Sequence, residues 1–334
     1  MTLRRRDFIT LLGGAAVVWP LAAGAQRTES LRRIGMLSGF TENDQTTQAG
    51  IPALRAELAR LGWVEGRNLR MDVRFGSNDP DRIRVYAAEL VNLAPEAIVT
   101  DSGETTRVLQ QQTRSIPIVI TGAGDPAVNG LVKSIAHPEG NITGITNLYG
   151  SIGGKWLELL QEAVPQTKTV GLIHDPQLEP AVSSNSYLSS IEEATRTLVV
   201  KTINMPYRDA VDLVHEIDVF AAVSNGALII LPPTPSVANR QTILRLSIQH
   251  RLPTISAAKA FGIEGCLISY TSAALERFQR AASFVDRLLR GAKVSELPVE
   301  YPTKFELVIN LKTAKAIGLT IPEAFLARAD EVIE

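Results

Sequence analysis

The sequence predicts an α/β protein built as two doubly wound parallel-sheet lobes, and three observations carry that expectation. Short apolar runs alternate with segments of helical period from about residue 31 onward. The alternation begins afresh after Trp156. The chain, at 334 residues, is longer than one hydrophobic core usually fills. Strand–helix–strand alternation on this scale means parallel sheets with helices on both faces.

The elements follow in order. Ile34-Gly35-Met36-Leu37 reads as a compact strand. Ile51, Leu54, Leu58 and Leu61 recur at helical spacing, and Gly62 ends that helix. Leu69, Met71, Val73 and Phe75 alternate with Arg70, Asp72 and Arg74, which predicts a half-exposed strand at a sheet edge. Asp79-Pro80 opens the next helix, with Pro in the first turn where its missing N–H costs nothing. Buried strands are expected over 97–100 and 116–121, with a helix between them. In the second half, strands are expected over 169–173, 198–203, 227–231 and 253–255. Helices are expected over 182–197, 210–223 and 237–250. The segment 97–119 and the segment 227–255 share one strand–loop–helix–strand plan, as two copies of a single α/β unit would.

Ahead of the lobes, Arg4, Arg5 and Arg6 precede an apolar stretch that ends in Ala23-Gly24-Ala25. A basic start, a short apolar core and a small-residue exit are the parts of a secretory signal over 1–25. The order Arg5-Arg6-Asp7-Phe8-Ile9 suggests the twin-arginine route, and the periplasm is the expected compartment. The formal net charge of −1 gives no global reason to bind nucleic acid. Cys266 is the single cysteine, so no internal disulfide can form, and its apolar surroundings in sequence suit a buried small hydrophobe.

Enzymatic signatures are absent. His137, His174, His215 and His250 are scattered without metal-ligand spacing, so neither a metal nor another cofactor is expected. There is no G-x-S-x-G elbow and no phosphate-binding Walker loop. Gly122-Ala123-Gly124-Asp125-Pro126-Ala127 fits a loose dinucleotide pattern, but it follows the fourth strand of its lobe and reads as a turn. A binding protein without catalysis is the expectation.

Passages between the lobes are expected over 140–154, rich in Gly, Asn and Thr, and over the Pro-bracketed 298–303. At this point a family resemblance enters. Pro302-Thr303-Lys304-Phe305-Glu306-Leu307-Val308-Ile309-Asn310-Leu311-Lys312-Thr313-Ala314 and the following residues to Val332 resemble the C-terminal signature of ABC-transporter substrate-binding proteins related to tryptophan- and tyrosine-binding proteins. Leu61-Gly62-Trp63-Val64-Glu65-Gly66-Arg67-Asn68-Leu69 resembles the family's segment after the first helix. Gly124-Asp125-Pro126-Ala127 followed by Gly140-Asn141-Ile142-Thr143-Gly144 resembles its middle segment. The resemblance implies the type I periplasmic binding protein fold, two lobes joined by a hinge of three crossings, the third near 266–270, with the helix over 311–317 packed on the second lobe; the first lobe is then assigned 31–146 and 270–299, and the second 147–269 and 300–334. It also implies the partners: a small solute, a membrane permease and its separate ATPase subunit. A monomer is expected.

In open parallel sheets the ligand sits beyond the C-terminal ends of the strands. The loops there supply the candidates. In the first lobe they are Ser38, Phe40, Ser102, Gly103, Glu104, Thr105, Thr121 and Asp125; Tyr149 lies in the passage; Thr234, Ser236 and Lys259 face them from the second lobe. Ser102 can cap a helix, Gly103 lets the backbone approach a ligand, and free N–H groups there suit a carboxylate. Glu104 departs from the family, where a small residue or Pro is common. It turns outward or pairs with a solute ammonium, which an amino acid or an amine-bearing solute would supply; the expected solute is an amino acid or small carboxylate. Asp125 is read as a cap or a solute contact, and Phe40 and Tyr149 as stacking rings or as core and hinge. The alternative role is a module that presents solute to a sensor or chemoreceptor.

Overall fold

The computed structural model describes residues 31–127, 129–174, 186–232 and 236–334. The leader expected over 1–25, the start of the helix expected over 182–197, and Thr234 lie outside the described residues. In chain order the elements are β1 (Arg32–Ser38), α1 (Gln45–Arg60), β2 (Leu69–Phe75), α2 (Pro80–Asn92), β3 (Ala97–Thr100), α3 (Gly103–Gln112), β4 (Ile118–Ile120) and β5 (Ile142–Gly144). Next come α4 (Ile152–Ala163), β6 (Thr169–His174), α5 (Ser186–Leu198), β7 (Lys201–Pro206), α6 (Ala210–Phe220), β8 (Gly226–Ile230), α7 (Ser236–Gln249), β9 (Thr254–Ser256), α8 (Lys259–Glu264) and β10 (Ile268–Ser272). The chain ends with α9 (Ala274–Leu289), β11 (Phe305–Asn310), α10 (Leu311–Ala316), α11 (Glu323–Leu326) and β12 (Glu331–Ile333).

Two sheets result, ordered β2-β1-β3-β4-β5 and β12-β11-β10-β9-β8-β6-β7. All neighbours are parallel except β10 and β11. The orders β2-β1-β3-β4 and β7-β6-β8-β9 repeat one another, so the two segments of shared plan occupy equivalent places. The winding direction reverses between β1 and β3, and again between β6 and β8. Each reversal opens a crevice beyond the strand ends.

Local chemistry explains the boundaries. Asp44 caps α1 by accepting from Thr47 N at 2.9 Å, and Gly62 follows that helix at φ 100°. Asp79 caps α2 with Pro80 in its first turn. β2 forms the edge of its sheet, as its alternation predicts. One expected strand moves: over 198–203 the helix α5 continues to Leu198, Val199 turns at φ 54°, and β7 begins at Lys201. Leu198 packs against the core of its lobe, which holds the helix past the expected start of the strand.

Each sheet is covered on both faces. On one face of the first, Ile34, Met36, Leu54 and Leu58 pack with Phe278, Ala281 and Val285 of α9. Leu37, Ile83, Leu90 and Leu109 fill the other. In the second lobe, Trp156 is fully buried and its indole N–H donates to the Tyr270 carbonyl at 3.1 Å. α10 and Ile317 join the same core. Cys266 is buried in the opposite face, and loss of water pushes its thiol up to about 12. No helix of the described residues is long and apolar enough to cross a membrane.

Among the described residues the chain passes between the sheets three times: after β5, after β10 and before β11. The passages are hydrogen-bonded to one another. Thr146 N donates to the Glu300 carbonyl and Glu300 N to the Gly144 carbonyl, each at 2.9 Å, and Ala273 N donates to the Lys304 carbonyl at 3.0 Å. The crossing implied near 266–270 is displaced. Ile268–Ser272 is held inside the second sheet by pairing with β11 and β9, and the passage follows at Ala273.

Helix α1 packs tightly against α9 at Gly50. A Cβ on Gly50 would lie 2.3 Å from the Phe278 ring. Gly50→Ala is expected to lower unfolding stability by about 1–3 kcal/mol through overpacking. Urea denaturation of the two proteins checks this, and unchanged stability would mean the two helices part freely.

Candidate functional site

The first-lobe crevice is organised by a carboxylate. Ser38 Oγ donates to Asp101 Oδ2 at 2.6 Å, and Gly39 N donates to Oδ1 at 2.9 Å. The end of β1 is thereby tied to the end of β3. Loss of water pushes the Asp101 carboxyl up to about 6, with Asp44 adding to the rise; the Ser38 and Gly39 donors and the Arg277 charge oppose it.

Ser102 caps α3: its hydroxyl accepts from Thr105 N at 3.2 Å. Thr105 is wholly buried, its hydroxyl bonded to Ser102 and Thr100. Thr121 is likewise buried, its hydroxyl donating to the Thr100 carbonyl at 3.2 Å. Both follow one rule: a threonine beside buried backbone carbonyls turns inward to satisfy them. Gly103 lies under the next loop, where an added Cβ would meet the Ala123 carbonyl at 3.5 Å. Glu104 is exposed in the first turn of α3. An acid there favours the helix N-terminus.

The loop after β4 is pinned to the first crossing. Gly124 N donates to Asn147 Oδ1 at 2.8 Å, and Thr146 Oγ1 bonds the Gly124 carbonyl. Asp125 accepts from Ala127 N at 3.1 Å and is 8 % exposed, a turn cap. The second lobe touches this loop through Tyr187, whose hydroxyl would lie 3.9 Å from a Cβ on Gly124. Burial first, then the Asp125 charge, pushes the pKa of the Tyr187 phenol upward.

Tyr149 stands on the first crossing within an aromatic group. Its ring meets Tyr301 edge-on at 6.0 Å and Phe305 at 5.6 Å, while Phe305 stacks on Tyr270 at 5.2 Å. Tyr149, Ser151, Tyr301, Thr303 and Phe305 line a cavity of about 590 Å³. That volume is in the range of small-molecule sites. Tyr301 is 43 % exposed; desolvation and then Asp125 raise its phenol. Phe40 is half-buried and forms no ring pair among the described residues.

From the second lobe the yield is smaller. Ser236 begins α7, but its side chain, like Thr234, lies outside the described residues. Lys259 is paired with Glu306 at 3.2 Å and Glu331 at 2.9 Å, so its charge is already met. Despite desolvation, those two carboxylates hold its pKa raised. Sequence reasoning missed Asp101, Asn147, Tyr187, Arg277, Tyr301 and Phe305. Arg277 carried a signal: it falls on the apolar stripe of Ala281, Phe284, Val285 and Leu288. Among the described residues no group of three or more His, Cys, Asp or Glu could hold a metal ion.

Asp101 generates a pH prediction. Its folded pKa, about 6, stands above the ordinary 3.8, so the native state binds the proton more tightly than the unfolded chain. Its contribution is full below the ordinary value and is lost as pH rises through about 6. Asp101→Asn is expected to flatten that fall, read as the difference between wild-type and variant denaturation curves across this window. Parallel curves would contradict it.

The comparisons with known proteins follow the same geometry. The family model for "ABC transporter substrate binding protein" matches residues 43–333. The tyrosine-binding protein of Clostridioides difficile (strain R20291) is 26 % identical over 300 residues, covering 88 % of this chain and 84 % of that protein. The crystal structure of a conserved domain protein from Vibrio cholerae superposes with a TM-score of 0.79 at 24 % identity, covering 91 % of this chain and 100 % of the other. The ABC domain from Streptococcus pneumoniae in complex with L-Trp also gives 0.79, at 20 % identity with coverage of 91 % and 100 %. The fold is that of type I periplasmic binding proteins. With the model spanning nearly the whole described chain, this protein belongs to the ABC transporter substrate binding protein family, as a non-enzymatic, extracytoplasmic solute-binding component.

Proposed function

We propose that this protein captures an aromatic amino acid between its lobes in the periplasm and presents the closed form to a membrane permease served by a separate ATPase subunit. The observation that carries this reading is the aromatic cavity on the crossings, lined by Tyr149, Tyr301 and Phe305. A flat ring is the shape such walls receive best, in edge-on or offset contact. Asp125 lies close enough to Tyr301 and Tyr187 to act on both phenols, and supplies negative charge for a solute ammonium. The names of two relatives, one tyrosine-binding and one solved with L-Trp, agree with an aromatic solute.

The mechanism is hinge closure. A solute seated on one lobe gains contacts when the other swings in, and closure is driven by that differential affinity. The paired crossings allow bending and resist separation, so the protein alternates between two shapes that a permease can tell apart.

Thermal unfolding with L-tyrosine, L-tryptophan, L-leucine and a hexose tests the reading. A true solute at a hundredfold excess over its Kd stabilises the native state by about 2.7 kcal/mol. The two aromatic amino acids are expected to stabilise and the others not. Tyr149→Ala is expected to weaken aromatic binding about tenfold, from lost ring contact and area. Stabilisation by the hexose or leucine alone would overturn the proposal.

A further inference from the structure

Arg277 lies in the first turn of α9, immediately after the second crossing, and is 8 % exposed. A buried guanidinium requires compensation, because removing a charge from water is costly. Among the described residues it has little. Nη1 donates to the Thr121 carbonyl, and Nε is buried with no partner. The nearby acids are Asp101 in the first lobe and Glu306 in the second, and neither forms an ion pair with it. Asp101 is committed to Ser38 and Gly39, and Glu306 to Lys259. Loss of water lowers the Arg277 pKa to about 10, which leaves it charged at neutral pH. A second buried polar atom without a partner, Ser272 Oγ, sits at the same passage.

The surroundings are those of the cleft. Gly122, whose added Cβ would fall 2.8 Å from Arg277 Nη1 and 3.4 Å from the Asn147 side chain, places the guanidinium beside the loop after β4 and the first crossing. Asn147 is two positions from Tyr149, and Glu306 follows Phe305 directly. Arg277 thus lies among residues that adjoin the aromatic group along the chain, and Asp125 follows Gly124, which Asn147 holds.

We infer that Arg277 is the anchor for the carboxylate of the solute. This rests on the amino acid reading of the cleft and deepens it: ammonium toward Asp125, ring against Tyr149 and its neighbours, carboxylate on the guanidinium. A planar fork matches a carboxylate bidentately, and Nε is one of the donors such a pair uses. Because its surroundings come from both lobes, opening about the crossings uncovers the fork and closure reburies it with its counter-charge.

Calorimetric titration of L-tyrosine, L-tyrosinamide and tyramine into wild type, Arg277→Met and Arg277→Lys tests the assignment. Wild type is expected to prefer the carboxylate over the amide by roughly 30-fold or more, the scale of a buried charge pair losing one partner. Arg277→Met is expected to lose that preference while retaining the amide. Arg277→Lys keeps a cation without the fork and is expected to fall between them. If the Met variant does not fold, the wild-type preference and the Lys variant still decide. Absence of any carboxylate preference in wild type, or its full retention in Arg277→Met, would overturn the inference. Non-aromatic carboxylates with their amides, run in parallel, separate the two readings. An Arg277-dependent preference among those alone retains the anchor and removes the aromatic solute. Tight aromatic binding indifferent to the carboxylate does the reverse.

Discussion

A chain that leaves one sheet for another must satisfy its backbone polar groups on the way, and this requirement shapes the molecule. Unpaired N–H and C=O groups cost too much to bury. The three passages answer this by pairing with each other: Gly144 and Thr146 with Glu300, and Ala273 with Lys304. Passages that pair must run side by side, so they form one narrow ribbon instead of separate tethers. The ribbon brings residues far apart in sequence, such as Tyr149, Tyr270 and Phe305, into one aromatic group.

The charges near the ribbon follow a second logic. Asp101 and Arg277 both lose water, and the loss acts on them in opposite directions, raising one pKa and lowering the other. Each also stabilises the charged form of the other. The acid spends its oxygens on tying the end of β1 to the end of β3, while the guanidinium keeps an unused donor. Lys259, by contrast, is surrounded by two carboxylates and is electrostatically complete. Position on a loop at the end of a strand therefore does not decide whether a charge is available; the count of its partners does.

Much of the fold was legible because it rests on local rules. The alternation through Leu69–Phe75 marked an edge strand, Asp79-Pro80 marked a helix start, and Ser102 marked a cap. The site was less legible, because its side chains are chosen by tertiary neighbours. Nothing local tells that Thr105 and Thr121 turn inward to buried carbonyls, or that Lys259 meets Glu306 and Glu331. Tyr301 sat in a segment read only as an extended connection, and Phe305 in the C-terminal signature, with no site role read for either. Arg277 was visible as a cation on an apolar stripe, but its closeness to Thr121 depends on the chain returning after more than a hundred residues.

That return has a consequence for biosynthesis. The apolar face shared by Ile34, Met36 and Leu54 is completed by Phe278 and Val285, which the ribosome adds only after most of the second lobe, through β10, has been made. A nascent first half therefore carries a bare greasy surface for most of translation. Long-range closure of this kind folds slowly and invites association between incomplete chains. Chaperone demand should fall late, when α9 emerges and seats its phenylalanine over Gly50.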